Sequence, residues 1–317
     1  MEKILVFGFG AQTKRNWESI IKKYEVVAIL DNKIVIGENQ EYQGVWVCNP
    51  FEYKKIKNIP ILVMIYDYTT AVRQLKEMGV PSANIRIING KYDMANMHYV
   101  TCLDIDNVIA LPSREIDADW GYRRGTPIGR IYIEQFLEKY KLNIKGDIME
   151  IAETTYSKQF SNPQYTSSYT AIHVDDVEGC RKANLETGEG LHDKEFDTMI
   201  ITQTLAYIYD LRSVVSNIFK SLKNDGYCLV TVTDIGHMGA IETESYGAYW
   251  GFHRDGISRL FAEAFGEENI CTETYGNLKA IVAQLYGLAA EDMDNKCLYY
   301  NDSRYPMIIG IVAHKVE

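Results

Sequence analysis

Short apolar runs alternate with amphipathic helical stretches twice along this chain, and the connections between them are short. Parallel strands need a crossover to pair, and a helix is the usual crossover. The alternation therefore commits the chain to parallel sheets covered by helices. Over residues 1–90, strand-like runs lie at Lys3–Gly8, Glu25–Leu30, Ile61–Ile65 and Ile85–Ile88, with helical spacing over Asn16–Lys23 and Thr70–Met78. Residues 91–121 lose this rhythm and read as a linker. It then resumes over 122–317. Pro127–Tyr140 sets Ile128, Ile131, Tyr132, Phe136 and Leu137 on one side of a helix. Strands follow at Asp147–Ile151, Ala171–Val174, Thr198–Thr202 and Tyr227–Val232. The helix Leu211–Leu222 stops before Asn224-Asp225-Gly226, a strong turn signal. Cys271–Tyr275 and Met307–Ala313 read as two late strands around a helical insert. The expectation is an α/β protein of two domains, 1–90 and 122–317.

Composition narrows the function. The chain has 317 residues, and 33 Lys+Arg against 43 Asp+Glu leave a net charge of −10, which argues against nucleic acid held by phosphate neutralisation. The six cysteines form no CxxC pair, so they read as reduced thiols of a cytoplasmic protein, and the histidines show no metal spacing. The longest apolar stretch, Ile59–Tyr66, is too short to span a bilayer. The opening MEKILVFGFGA reads as a first strand, not a signal peptide.

Gly8-Phe9-Gly10 lies between a strand and a helix, and Asp31 ends the second strand 21 residues beyond Gly10. Glycines let backbone approach a phosphate, the helix N-terminus offers N–H donors, and the acid can accept from a ribose hydroxyl. Thr13 stands where a third glycine would be, so a structural turn and a ligand site at Gly8, Gly10 and Asp31 both remain open. With Asp31-Asn32 at the strand end, this half resembles the small Rossmann-like domains attached to bacterial sugar-modifying enzymes. That resemblance implies a nucleotide-sugar ligand or a role in assembly, without hydride transfer.

The second half runs through Ile148-Met149-Glu150-Ile151, His173-Val174-Asp175-Asp176, Asn184-Leu185 and Gln203-Thr204-Leu205 at successive strand ends and loops. This succession resembles the class I S-adenosylmethionine-dependent methyltransferases. It implies a second Rossmann-like domain with a seven-stranded sheet and a late antiparallel pair. The segment Arg124–Glu134 and the later Gly276-Asn277 look like methyltransferase-like proteins from bacterial glycan loci. The resemblance implies a cofactor site for S-adenosylmethionine. Glu150 and Ala152 open its first turn, and Glu153 would meet the cofactor amine. Asp175 would be the ribose acid, Asn184 and Leu185 would lie at the adenine, and Gln203 near the methyl group. Tyr132 or Arg124 would reach the carboxylate end. The turn Glu150–Tyr156 holds no glycine, which leaves two readings: an active variant, or a fold that lost its cofactor.

For a hydroxyl acceptor, a base of near-neutral pKa assists the displacement, and histidine is the usual choice. His237 follows the fifth strand, and His253 sits in the aromatic stretch Tyr249-Trp250-Gly-Phe-His253. The expected activity is O-methylation of a sugar, nucleotide-sugar or other glycan precursor, with oligomerisation possible. A non-catalytic two-domain scaffold or ligand sensor is the alternative, and a glycosyltransferase ranks below both.

Overall fold

A computed structural model describes residues 1–65, 68–89, 98–101, 107–236 and 239–316. The chain forms two compact units, Met1–Ser113 and Arg114–Glu317.

The first unit opens with strand β1 (Glu2–Phe7), helix α1 (Ala11–Lys23) and strand β2 (Tyr24–Leu30). Then come β3 (Gln40–Tyr42), β4 (Val45–Cys48), β5 (Ile61–Val63), α2 (Tyr68–Glu77), β6 (Ile85–Asn89) and β7 (His98–Thr101). The sheet order is β3-β4-β2-β1-β5-β6-β7, with β4 through β6 parallel and β3 and β7 as antiparallel edges. Period-two alternation sends side chains to both faces. Ile4 and Val6 join Trp17 and Ile20 of α1, whereas Leu5 and Phe7 join Ala71 and Leu75 of α2. The short β3 and β4 escaped the sequence reading because three or four residues carry too little periodicity to register.

In the second unit the elements are α3 (Ile128–Lys139), β8 (Gly146–Ile151), α4 (Thr155–Phe160), β9 (Thr166–His173) and β10 (Arg181–Lys182). They continue with β11 (Phe196–Thr202), α5 (Leu211–Ser221), β12 (Leu222–Thr233), α6 (Ala240–Tyr246) and α7 (Arg254–Phe265). The last are β13 (Ile270–Tyr275), α8 (Leu278–Leu285), α9 (Asn295–Leu298) and β14 (Ile308–Lys315). The sheet order is β10-β9-β8-β11-β12-β14-β13, and β14 alone runs against its neighbours. This is the α/β sheet of seven strands with a late antiparallel pair that the resemblance implied. The chain leaves β8 toward β9 and β10, then returns to the other side of β8 with β11. Open sheets bind ligands at the carboxyl ends beside such a reversal.

The sheet is covered on both faces. Met199 and Ile201 meet Val214 and Ile218 of α5 and Phe261 of α7, whereas Ile200 meets Ile133 and Phe136 of α3. Gly310 on β14 leaves room for the Phe136 ring, where a Cβ would come within 2.7 Å of Cε2. Near the amino ends of the strands, Lys223 Nζ bridges Asp147 Oδ2 at 2.6 Å and Asp197 Oδ2 at 2.7 Å, and Ser168 donates to the same Asp147. The Asn224-Asp225-Gly226 turn is realised as a register break inside β12, with Asp225 at φ 62°.

Tyr132 is fully buried and its hydroxyl donates to the Leu298 carbonyl at 2.7 Å. Tyr132→Phe leaves that carbonyl without its partner. It should lower the stability of this unit by about 1–2 kcal/mol in urea unfolding, and an unchanged midpoint would show that water replaces the bond.

Candidate functional site

A cavity of about 420 Å³ opens at the carboxyl ends of β8, β11 and β12, beside the reversal in strand order. Its walls take Glu153 and Tyr156 from the turn after β8, Thr202 and Gln203 from the end of β11, and Val232 and Thr233 from the end of β12. Trp120, Tyr122 and Arg130 close one side, and Glu242 and Phe252 reach in from the segments after β12.

The turn after β8 is held from beneath by Glu150. This side chain is 2 % exposed, and its two oxygens accept from the Tyr156 and Ser157 N–H groups at 3.1 and 2.8 Å. It thereby caps α4, whose N-cap residue Thr154 makes no side-chain cap bond. Burial pushes the Glu150 carboxyl up from its ordinary value, against the pull of the Ser157 and Tyr156 N–H groups. Ala152 adopts φ 65°, a left-handed conformation that normally selects glycine. Its N–H donates to the Ile172 carbonyl of β9, and its own carbonyl accepts from Cys180 Sγ. The turn thus has the backbone of a glycine turn without the glycine. Glu153, next in the chain, faces the cavity and accepts from Thr155 Oγ1.

Gln203 is a second strained position, at φ 52°. Its N–H donates to the Thr231 carbonyl, its Nε2 to Thr231 Oγ1, and its Oε1 accepts from Thr233 Oγ1 at 2.6 Å. The amide is committed to β12, and it presents a fixed polar wall. Non-glycine residues in the left-handed region persist where surrounding structure over-determines them, commonly at sites of function.

The remaining expected residues are distributed unevenly. Asp175 lies beyond the end of β9 and accepts from the Tyr246 hydroxyl at 2.7 Å. Asn184 Oδ1 accepts from the Glu186 and Thr187 N–H groups, which shapes its loop, and Leu185 is buried in the core. The buried Tyr132 does not reach the cavity, because its hydroxyl is turned to Leu298. Arg124 does not line it either, since its guanidinium forms a two-pronged pair with Asp292 at 2.9 and 2.8 Å. The arginine in the cavity is Arg130, six residues further on, bonded to Glu134 Oε1 at 2.8 Å and stacked over Tyr156. Its place on the first turn of α3 was the only available signal. Trp120, Tyr207 and Glu242 carried none, because each comes from a loop or a short helix.

Of the two histidines, His237 lies outside the described residues. His253 Nδ1 stands 2.9 Å from Asp234 Oδ1, next to the cavity residue Phe252. The Asp234 side chain is 7 % exposed and that of His253 is 89 % exposed, and the approach of Nδ1 to Oδ1 does not have hydrogen-bond geometry, so the buried carboxylate lies against an open imidazole without fixing it. Burial pushes the Asp234 carboxyl up, and His253 pulls it partway back.

In the first unit the glycine turn is tied internally. Gly8 has φ 105°, Thr13 Oγ1 donates to its carbonyl at 2.5 Å, and Gly10 forms the N-cap of α1. Asp31 spends one oxygen on the Phe9 N–H at 2.6 Å and the other on the Lys33 N–H at 2.8 Å. Each Asp31 oxygen thus carries one internal bond and keeps a further acceptor position. Among the described residues of the chain, no helix is long and apolar enough to cross a membrane.

Residues 1–87 match the sequence family described as C2185-like, N-terminal. No curated protein matches the chain. Among solved structures, the chain is similar to an S-adenosylmethionine-dependent methyltransferase from Archaeoglobus fulgidus at 14 % identity. That match covers 59 % of this chain and 94 % of the other, with a TM-score of 0.38. The N-methyltransferase NodS of Bradyrhizobium japonicum, in complex with S-adenosylhomocysteine, matches at 12 % identity over 64 % of this chain and 94 % of its own, with a TM-score of 0.39. A 1,6-didemethyltoxoflavin-N1-methyltransferase of Burkholderia thailandensis matches at 10 % identity over 59 % and 77 %, with a TM-score of 0.38.

Ala152→Gly relieves the left-handed strain while loosening the unfolded chain. It should raise stability by up to about 1 kcal/mol, whereas Ala152→Val should lower it. Thermal melts of both variants decide the matter, and a less stable glycine variant would contradict the strain.

Proposed function

We propose that the second unit transfers a methyl group from S-adenosylmethionine to a hydroxyl of a sugar or glycan precursor. The observation that carries this reading is the cavity at the strand-order reversal, bounded by left-handed turns at Ala152 and Gln203. S-adenosylmethionine, when bound, supplies an electrophilic methyl group on a sulfonium. The donor set suits such a cation. Glu153 and Glu242 face the cavity, Arg130 is already paired with Glu134, and Tyr156, Trp120 and Phe252 supply aromatic walls. A cavity of about 420 Å³ also falls within the usual size of small-molecule sites.

In this reading Glu153 receives the ammonium end and Asp175 accepts from the ribose hydroxyls. Tyr156 and Phe252 exclude water and align the acceptor, which is where much of the rate of an in-line displacement arises. His253, whose Nδ1 lies 2.9 Å from Asp234 Oδ1, takes the hydroxyl proton on Nε2 as the oxygen–carbon bond forms and the carbon–sulfur bond breaks. The carboxylates also favour an uncharged acceptor at the reacting end, so any phosphate on the precursor lies outside the cavity. The glycine-free turn does not by itself favour a scaffold, because Ala152 already adopts the backbone that a glycine would supply.

Titration calorimetry with S-adenosylmethionine and S-adenosylhomocysteine should give micromolar binding that Asp175→Ala abolishes; retained affinity in that variant counts against the assignment. His253→Ala should lower turnover about a hundredfold and leave S-adenosylhomocysteine affinity unchanged. Near-wild-type turnover would remove the base from His253.

A further inference from the structure

Helix α6 spans the carboxyl edge of the sheet. At its amino end, the Gly239 N–H donates to the Tyr207 hydroxyl, in the loop after β11, at 3.4 Å. In its first turn Glu242 lines the cavity. At its carboxyl end, the Tyr246 hydroxyl donates to Asp175 beyond β9 at 2.7 Å, and its ring lies edge-on to His173 at 6.4 Å. In the sheet, β8 lies between β9 and β11. A helix of seven residues is about 10 Å long, which matches two strand spacings of about 4.8 Å each. The helix therefore reaches from Tyr207, after β11, to Asp175, after β9, the two strands that flank β8. Gly239 precedes it and Gly247, at φ 81°, follows it, so both ends are set in glycine.

We propose that Tyr246 is a gate on the donor site. Its hydroxyl holds the Asp175 carboxylate that the ribose of S-adenosylmethionine would need, so the donor binds by displacing Tyr246 and lifting α6. This inference rests on the methyl-donor reading of the cavity. The phenol donates to Asp175 Oδ2 as a ribose hydroxyl would, so a ribose diol that engages both carboxylate oxygens competes with it there. It also gives the exposed Asp175, whose side chain is 61 % accessible, a partner in the donor-free protein. The bond to Asp175 pushes the Tyr246 phenol up from its ordinary pKa, as expected of a proton held between the two. The contact joins the carboxyl end of α6 to the far side of the reversal, and Tyr246 is 36 % exposed, so its release exposes little core.

The test is calorimetric titration of S-adenosylhomocysteine into the full chain and its Tyr246→Phe variant, with hydrogen exchange of α6 followed in parallel. The variant keeps the ring against His173 and loses only the bond. It should bind on the order of three- to tenfold more tightly. In the wild type, exchange over 240–246 should rise when S-adenosylhomocysteine binds, and in the variant it should be high before binding. Equal or weaker binding by the variant, with the wild type binding normally, overturns the gate and leaves the donor reading standing. Absence of binding by both proteins at millimolar ligand overturns the donor reading and the gate with it. The exchange measurement reports separately that the variant is folded, through protection of β11 and β12.

Discussion

The cavity depends on one buried carboxylate. Glu150 lies under the turn after β8, and both its oxygens are taken by backbone N–H groups at the start of α4. Glycine turns of this kind are usually shaped by the absence of side chains. Here the shape comes instead from a hydrogen-bonded anchor below and a strained alanine above. With the anchor in place, Tyr156 is delivered to the cavity wall, its ring faces Arg130, and Glu153 is turned toward the interior. Burying a carboxylate is costly, and the two N–H groups recover part of that cost at a helix N-terminus where negative charge is favoured.

Several polar side chains near the cavity are already engaged within the chain. Gln203 is tied to Thr231 and Thr233, Arg130 to Glu134 and Asp175 to Tyr246. The bonds of Gln203 and Arg130 fix rotamers before any ligand arrives, which lowers the ordering cost of binding, whereas the bond of Tyr246 to Asp175 opposes it. The bonds differ in how readily they yield. Gln203 is half-buried and joined to two neighbours, whereas Asp175 is exposed and has a single side-chain donor.

The architecture was legible in the sequence because it rests on periodicity. Alternating runs of apolar residues and helical stretches announce parallel strands and their crossovers, whereas the antiparallel pairing of the two late strands came from the resemblance to methyltransferases. The site was legible only where it follows from a strand end. Glu150, Ala152, Glu153, Asp175 and Gln203 were chosen that way, and of these Glu153 and Gln203 line the cavity. Tyr132 and Arg124 were chosen because they precede the first strand, and nothing in the sequence distinguishes a side chain turned into the core or onto Asp292 from one turned into the cavity. Trp120 and Tyr246 come from loops and a seven-residue helix, where no spacing rule applies. The first unit teaches the same lesson at Asp31. The spacing to the glycine turn is that of a ligand site, yet the same geometry suits an acid that closes its own loop.

The placement of β14 bears on how the second unit is made. This strand comes last in sequence yet lies inside the sheet, pairing with β12 along eight residues and with β13 along six. During synthesis, β12 emerges more than seventy residues before its partner, and β13 has no sheet to join until then. The unit therefore carries an open strand edge on the ribosome for several seconds at ordinary elongation rates. An edge of apolar strand left waiting in this way is where off-pathway association begins.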